Sequence, residues 1–341
     1  MTSDLTAALG DFFAAAWPTD APIGESGPLA ETPWPLFADL GLHLVGVPED
    51  REGSGGTFAD LMALATLAGR HASDIPVVEA TTGAWALVEA GLPLQPMASI
   101  SIPVGASSLT IHDDQTVSGI LADVPWGSTV DLVVAIADDG RTVVVKARDA
   151  TVRHGVDLAG QPRDTLTFSQ VAAVAIGAGT SADHVRRRAV ALRVALVAGA
   201  LQAISALTRR YVSERVQFGK PIGAFQAVQA HVVQIEQMAV MCTAVADRLA
   251  LDDDLKDVDV AAAQLVTAEN ALVAARAAHQ AHGAIGMTQE YRLQGYTRRL
   301  HTWTGDFGEP IDLSRRLGNT AAHEPSFARL ILDHDRPELL P

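Results

Sequence analysis

The hydrophobic period of this chain changes twice, and that change constrains its fold more than any other feature of the sequence. Apolar residues recur at helical spacing in 4–16 (DLTAALGDFFAAA, with Asp4 as a cap), 34–43, 57–71 and 77–90. From about 92 to 170 the pattern turns short and β-branched: 98–104 (ASISIPV), 107–112 (SSLTIH), 131–137 (DLVVAIA) and 141–147 (RTVVVKA). DD, DDG and Pro/Gly turns separate these pieces. Helical spacing then returns in longer runs, 183–213, 223–250, 258–282 and 289–301. The two periods cannot share one element. The chain therefore divides into an N-terminal helical domain at 1–91, a small β-barrel or sandwich at 92–175, and a C-terminal four-helix bundle at 176–341. The class is mostly α with a central β-domain.

Composition narrows the function classes. Aromatic residues are only 5% of the chain, so Ala, Val and Leu fill its cores, which suits helices with close axes. Lys and Arg number 25 against 40 Asp and Glu, and the net charge of −15 repels phosphate backbones, so no nucleic-acid partner is expected. An anionic small ligand would need positive groups concentrated locally. The one cysteine, Cys242, excludes an internal disulfide and suits a reducing compartment. The N-terminus lacks a basic-then-apolar leader pattern, and no uninterrupted apolar run reaches the ~18 residues of a membrane span, so a cytoplasmic chain without a span is expected. His231, His279, His282 and His301 lack metal-ligand spacing, so no metal site is expected. Residues 52–56 (EGSGG) are too loosely Gly-rich for a phosphate loop, and no G-x-S-x-G elbow is present.

The most informative stretch is 211–226, YVSERVQFGKPIGAFQ. Read by itself, Gly219 and Pro221 end one helix and another starts from Ala224, which makes a helix hairpin. The string R-x-Q-F-G-x-P-I-x-x-F-Q at the end of a long helix resembles the signature of the acyl-CoA dehydrogenase family. Two further segments resemble that family in the expected order. Residues 280–290, QAHGAIGMTQE, follow Q-x-x-G-G-x-G-x-x-x-E, and residues 40–61, LGLHLVGVPEDREGSGGTFADL, follow its N-terminal L-G…P-E-x-x-G-G-x-G pattern.

The resemblance implies a helical domain, a β-domain and a four-helix bundle, and FAD as cofactor. It also implies that the bundle motifs hold the pyrophosphate and adenosine end of a neighbouring subunit's flavin. Arg215 would pair with pyrophosphate oxygens, and Gln217 and Phe218 would bond and pack on the dinucleotide. Gln226, Gln280, Gly283 and Ala284 would complete the pocket, with Ala284 standing where the family often has Gly. Gly283 and Gly286 can equally be required by a tight turn between helices.

The sequence departs from the family where the chemistry should be. The implied reaction removes two hydrogens from an acyl-CoA, with a Glu taking the α-proton while the β-hydrogen leaves as hydride. The family's two positions for that Glu align with Phe307 and Ala189, neither of which is an acid. Asp306 and Glu309 flank Phe307, either as a displaced base or, as is commoner, as solvated loop acids. In the β-domain, SISIPVGASS and GILADVPWGSTVD replace the family's flavin-binding segments. Asp123 and Pro125 fall where an aromatic and a Thr are expected, and Trp126 reads as a packed turn residue. Arg186, Arg187, Arg188 and Arg193 either face CoA phosphates or, as is commoner, make a solvated helix face.

Half of a flavin site is thus missing while the half that serves a neighbour survives. This pattern resembles the short subunit of actinobacterial heterotetrameric dehydrogenases that act on steroid-derived CoA esters. It implies a fuller acyl-CoA dehydrogenase subunit as partner, an acyl-CoA substrate, and an electron acceptor such as an electron-transfer flavoprotein. A homomeric dehydrogenase with Glu309 or Asp306 as shifted base, and a flavin-free member that kept only the fold, stay open as alternatives.

Overall fold

The computed structural model describes residues 3–24, 26–94, 100–103, 105–179, 181–324 and 326. The chain forms two compact units. Of the described residues, one contains those within 26–61 and 74–189, and the other those within 4–24, 62–73 and 190–326.

The first unit carries α2 (Trp34–Asp39), the first turn of α3, α4 and the strands, in the order the sequence implies. Helix α1 (Ser3–Ala16) precedes α2, α3 spans Phe58–His71, and α4 spans Val77–Glu89. Every residue of α4 from Val77 to Val88 is buried, so it is a core helix. The strands are β1 (Ile100–Ser101), β2 (Ser107–Ile111), β3 (Thr116–Pro125), β4 (Leu132–Ile136), β5 (Arg141–Lys146), β6 (Thr151–Arg153), β7 (Arg163–Ala172) and β8 (Ala175–Gly179). They make two four-stranded sheets, ordered β1-β4-β5-β8 and β2-β3-β7-β6. The runs in β4 and β5 are buried continuously rather than alternately, as expected of a strand covered on both faces. β3 is irregular. Its pairing with β7 shifts register between Val117 and Gly119 and again between Leu121 and Val124.

The second unit is helical. It holds most of α5 (Ala182–Glu214), then a short hairpin of β9 (Val216–Gln217) and β10 (Lys220–Pro221). Next come α6 (Gln226–Leu249), α7 (Asp257–His282), α8 (Arg292–Trp303) and α9 (Pro310–His323). Helix α9 is a fifth helix beyond the four predicted. Its Leu313 is buried with Val258 and Ala261 of α7, and Leu317 and Ala321 pack on that cluster.

Small residues set a close helix crossing in this unit. A Cβ on Gly69 would meet the Leu196 carbonyl oxygen at 1.8 Å, and one on Gly199 would meet that of Thr66 at 1.9 Å. The backbones of α3 and α5 therefore touch where only glycine fits. Helix α5 and the run Asp257–Met287 are long and apolar enough to cross a membrane by length and composition. Their most apolar windows are 83% and 56% buried within the protein, and core helices of a bundle pass the same test.

Candidate functional site

The two bundle motifs meet at one end of the helical unit. The last turn of α5 closes with the Arg215 N–H donating to the Tyr211 carbonyl at 2.9 Å. Beyond it, Gln217 pairs with Lys220 across a two-residue hairpin turn. Both turn residues, Phe218 (φ 52) and Gly219 (φ 80), take positive φ, as a type I′ turn demands. Glycine does this freely, whereas a bulky Phe at positive φ is strained. The same Phe218 is 92% exposed, with its ring edge-on to Phe225 at 6.0 Å. Core packing does not explain a large apolar side chain held out at a strained position.

From the other side, α7 ends at His282, and Gly283 turns the chain with φ 65 and ψ −146, its N–H returning to the His279 carbonyl. The Tyr211 hydroxyl donates to the His282 carbonyl at 3.3 Å, and the two rings stack 4.5 Å apart. Arg215, Gln217, Phe218, Gln226, Gln280, Gly283 and Ala284 are all exposed. Helix α6 begins at Gln226 with no side-chain cap, and the N–H groups of Val228 and Gln229 turn back to the Phe225 carbonyl at 3.0 Å. One guanidinium, three carboxamides, an exposed ring and a glycine-turned backbone form a donor set that fits a dinucleotide's pyrophosphate.

The base position looks different. Phe307 (φ 65) and Gly308 (φ 138) occupy a tight turn after α8. Asp306 is not a solvated loop acid. Its carboxylate lies 2.8 Å from the Arg193 guanidinium, with side-chain exposures of 9% and 7%. Arg193 also stands 5.8 Å from the Phe307 ring centroid. The Gln264 amide donates to the carbonyls of Asp306 at 3.1 Å and Gly308 at 3.5 Å. Arg193, Asp306 and Gln264 line a small pocket with Val190, Val194, Val197 and Trp303. Ala189 is wholly buried, and Glu309 is exposed at the N-terminus of α9.

The basic cluster on α5 divides: Arg186 pairs with Asp183 on the helix face at 3.7 Å, as a solvated face would, whereas Arg188 and Arg193 are buried. Arg188 is buried with its guanidinium 4.9 Å from the Phe58 ring and 4.7 Å from Trp85, and Arg193 is committed to Asp306. Spacing along one helix could not show this, because the partners come from distant segments.

In the β-domain, Asp123 takes φ 53 at the second register shift of β3. Trp126 is 2% exposed in the turn that follows, its carbonyl accepting from Thr129 at 2.8 Å and Val130 at 3.0 Å. Residues 98, 99 and 104 of the first expected strand lie outside the described residues. Among the described residues no group of His, Cys, Asp and Glu has metal-binding geometry.

Burial holds the imidazoles of His43, His71, His279 and His282 below their ordinary value. The unfolded chain takes up protons near the ordinary value of 6.5 while the folded chain resists them. Their stability term is therefore intact above that value and is lost as pH falls through it toward the lowered folded values. The urea midpoint is expected to be lower at about pH 5.5 than at about pH 7.5. An unchanged midpoint would show that these imidazoles protonate freely in the folded state.

Helices, two small four-stranded sheets and a bundle of long helices follow one another along the chain, with an exposed polar surface at the bundle's end. The family model for the acyl-CoA dehydrogenase C-terminal domain matches residues 172–304. The chain is 26% identical to acyl-CoA dehydrogenase IpdE2 of Mycolicibacterium smegmatis, over 83% of this chain and 86% of that protein. In fold it matches a chain of the ChsE4–ChsE5 complex from Mycobacterium tuberculosis with TM-score 0.79 and 22% identity, covering 95% and 97% of the two chains. It matches a variant of the Tcur3481–Tcur3483 steroid ACAD with TM-score 0.79 and 22% identity, covering 94% and 97%. The chain is thus similar over most of its length to the acyl-CoA dehydrogenase family, whose C-terminal domain model matches its bundle. That family is FAD-dependent and oxidises CH–CH bonds.

Proposed function

We propose that this chain is the FAD-completing subunit of a heteromeric acyl-CoA dehydrogenase, and that it supplies no general base. One contrast carries the reading. The residues that would serve a neighbour's cofactor stand exposed, while Asp306 beside the base position is sealed in an ion pair with Arg193. An acid so buried and turned onto its partner cannot approach a substrate proton.

FAD, when bound, supplies the hydride acceptor. On this chain Arg215 would bind the pyrophosphate oxygens with its planar fork of donors, and Gln217 and Gln280 would hydrogen-bond the dinucleotide. Phe218 would cover it from solvent, Gln226 would sit at the α6 N-terminus, and Gly283 and Ala284 would admit the phosphates close to the backbone. The bulged β3 and the packed Trp126 turn support the reading that the ring end of the flavin belongs to the partner. A fuller family member is then the partner, in a heterotetramer acting in the cytoplasm on an acyl-CoA, with an acceptor such as an electron-transfer flavoprotein. The likeness to a complex and to a steroid ACAD favours a steroid-derived thioester. Exposed Glu309 is the acid that a homomeric enzyme would have to use.

Expressed alone, the chain is expected to hold little FAD and to show no turnover. Co-purified with a fuller partner, it is expected to give one FAD per heterodimer by visible spectrum. Near-stoichiometric FAD with dehydrogenase activity from the lone chain would overturn the proposal in favour of the homomeric enzyme.

A further inference from the structure

Tyr211 joins the two segments of the exposed surface. Its carbonyl accepts the Arg215 N–H at 2.9 Å, and its hydroxyl donates to the His282 carbonyl at 3.3 Å. Its ring lies on the His282 imidazole with 20° between planes, and Tyr291 meets both, 5.9 Å from Tyr211 and 5.2 Å from His282. We propose that Tyr211 is a positioning residue that sets Arg215 and the Gly283–Ala284 backbone in register as one nucleotide-binding surface. The inference rests on the FAD reading of that surface.

The geometry gives the hydroxyl a specific task. The His282 carbonyl belongs to the peptide unit whose N–H, from Gly283, caps α7 at His279. Immediately after it, Gly283 takes φ 65 and ψ −146, a region essentially reserved to glycine, and nothing crowds its Cα. A glycine hinge in open space does not fix its own direction. The peptide plane before it must be held, and the Tyr211 hydroxyl holds it from α5.

The imidazole face of the contact is fixed independently. His282 is 4% exposed, and its Nδ1 lies 2.8 Å from the Ala278 carbonyl, so Nδ1 carries the proton and the ring cannot rotate away from Tyr211. Arg215 follows Tyr211 by one helical turn, so the same residue fixes where the guanidinium leaves the helix. A plain packing role would account for the stack. It gives no reason for the hydroxyl to take the one carbonyl that precedes the hinge.

Tyr211→Phe keeps the ring and the stack and removes the hydroxyl. In the complex with the fuller partner it is expected to weaken FAD binding about three- to tenfold, the range of one neutral hydrogen bond. Titration of FAD into apo-complex by flavin fluorescence reads this; the unfolding temperature should fall by no more than the loss of one hydrogen bond explains, and subunit stoichiometry and thioester KM should not move. Tyr211→Leu, which also loses the stack, is expected to weaken binding further. Arg215→Ala measured alongside separates the outcomes. If it weakens FAD binding and Tyr211→Phe does not, the positioning role is overturned and the surface stands. If neither does, both readings fall. If Tyr211→Phe loses FAD only in proportion to lost assembly, Tyr211 is a packing residue and the proposal is wrong.

Discussion

Asp306→Asn is expected to destabilise the folded chain by about 3–5 kcal/mol, the cost of leaving one member of a buried ion pair without its counter-charge. The pair is 2.8 Å apart with both side chains under a tenth exposed, so solvent screens it little. Asn preserves the shape, and the Gln264 amide still holds the carbonyls of residues 306 and 308. The loss should therefore be electrostatic and not a collapse of the turn. Urea unfolding measures it. Replacing both partners together, Arg193→Met with Asp306→Leu, should recover most of the stability, because the stranded charge is removed as well. The single variant also separates two roles for Asp306. A structural anion loses stability and leaves turnover of the complex nearly unchanged. A general base would lose about 10²–10⁴ in rate with stability kept.

Local features were partly legible in the sequence and long-range ones were not. Gly219 and Pro221 mark the end of α5 in the sequence, but the β9–β10 turn that follows is not legible there, and α6 starts at Gln226 and not at Ala224. The long helices announced themselves through sustained spacing, and α5 runs from Ala182 to Glu214, one residue beyond each end of the predicted 183–213. Strand β3 is missing from the expected strands because two register shifts break its alternation, and Gly119 and Pro125 interrupt its β-branched pattern. Helix α9 follows the string DFGEP, which reads as the end of a structure. Its Pro310 instead sits at the first helical position, where a missing N–H costs nothing. The Arg193–Asp306 pair and the Gly69–Gly199 crossing join distant segments, and no spacing rule reaches them. For the same reason Asp306 reads as a loop acid in the sequence and proves to be a buried anion.

Arg215→Ala is expected to lower the FAD affinity of the assembled complex roughly ten- to a hundredfold, the equivalent of about 1.5–3 kcal/mol for one charge-assisted contact. The side chain is exposed at the end of α5, so its removal leaves no cavity and no stranded buried charge in this chain. Folding and pairing should survive, and the loss should fall on the cofactor. Arg215→Lys should restore only part of it, since an ammonium offers a point charge where the guanidinium offers a planar fork to two phosphate oxygens. Because the chain carries a net charge of −15, a dianionic dinucleotide approaches an unfavourable field and depends on the few cations placed to meet it. Raising salt should therefore narrow the gap between wild type and Arg215→Ala, as screening weakens the wild-type contact. Fluorescence titration of the apo-complex at two ionic strengths measures both effects. Equal affinities for wild type and Arg215→Ala at low salt would make Arg215 an ordinary surface charge and return the segment 211–226 to a helix hairpin without a ligand.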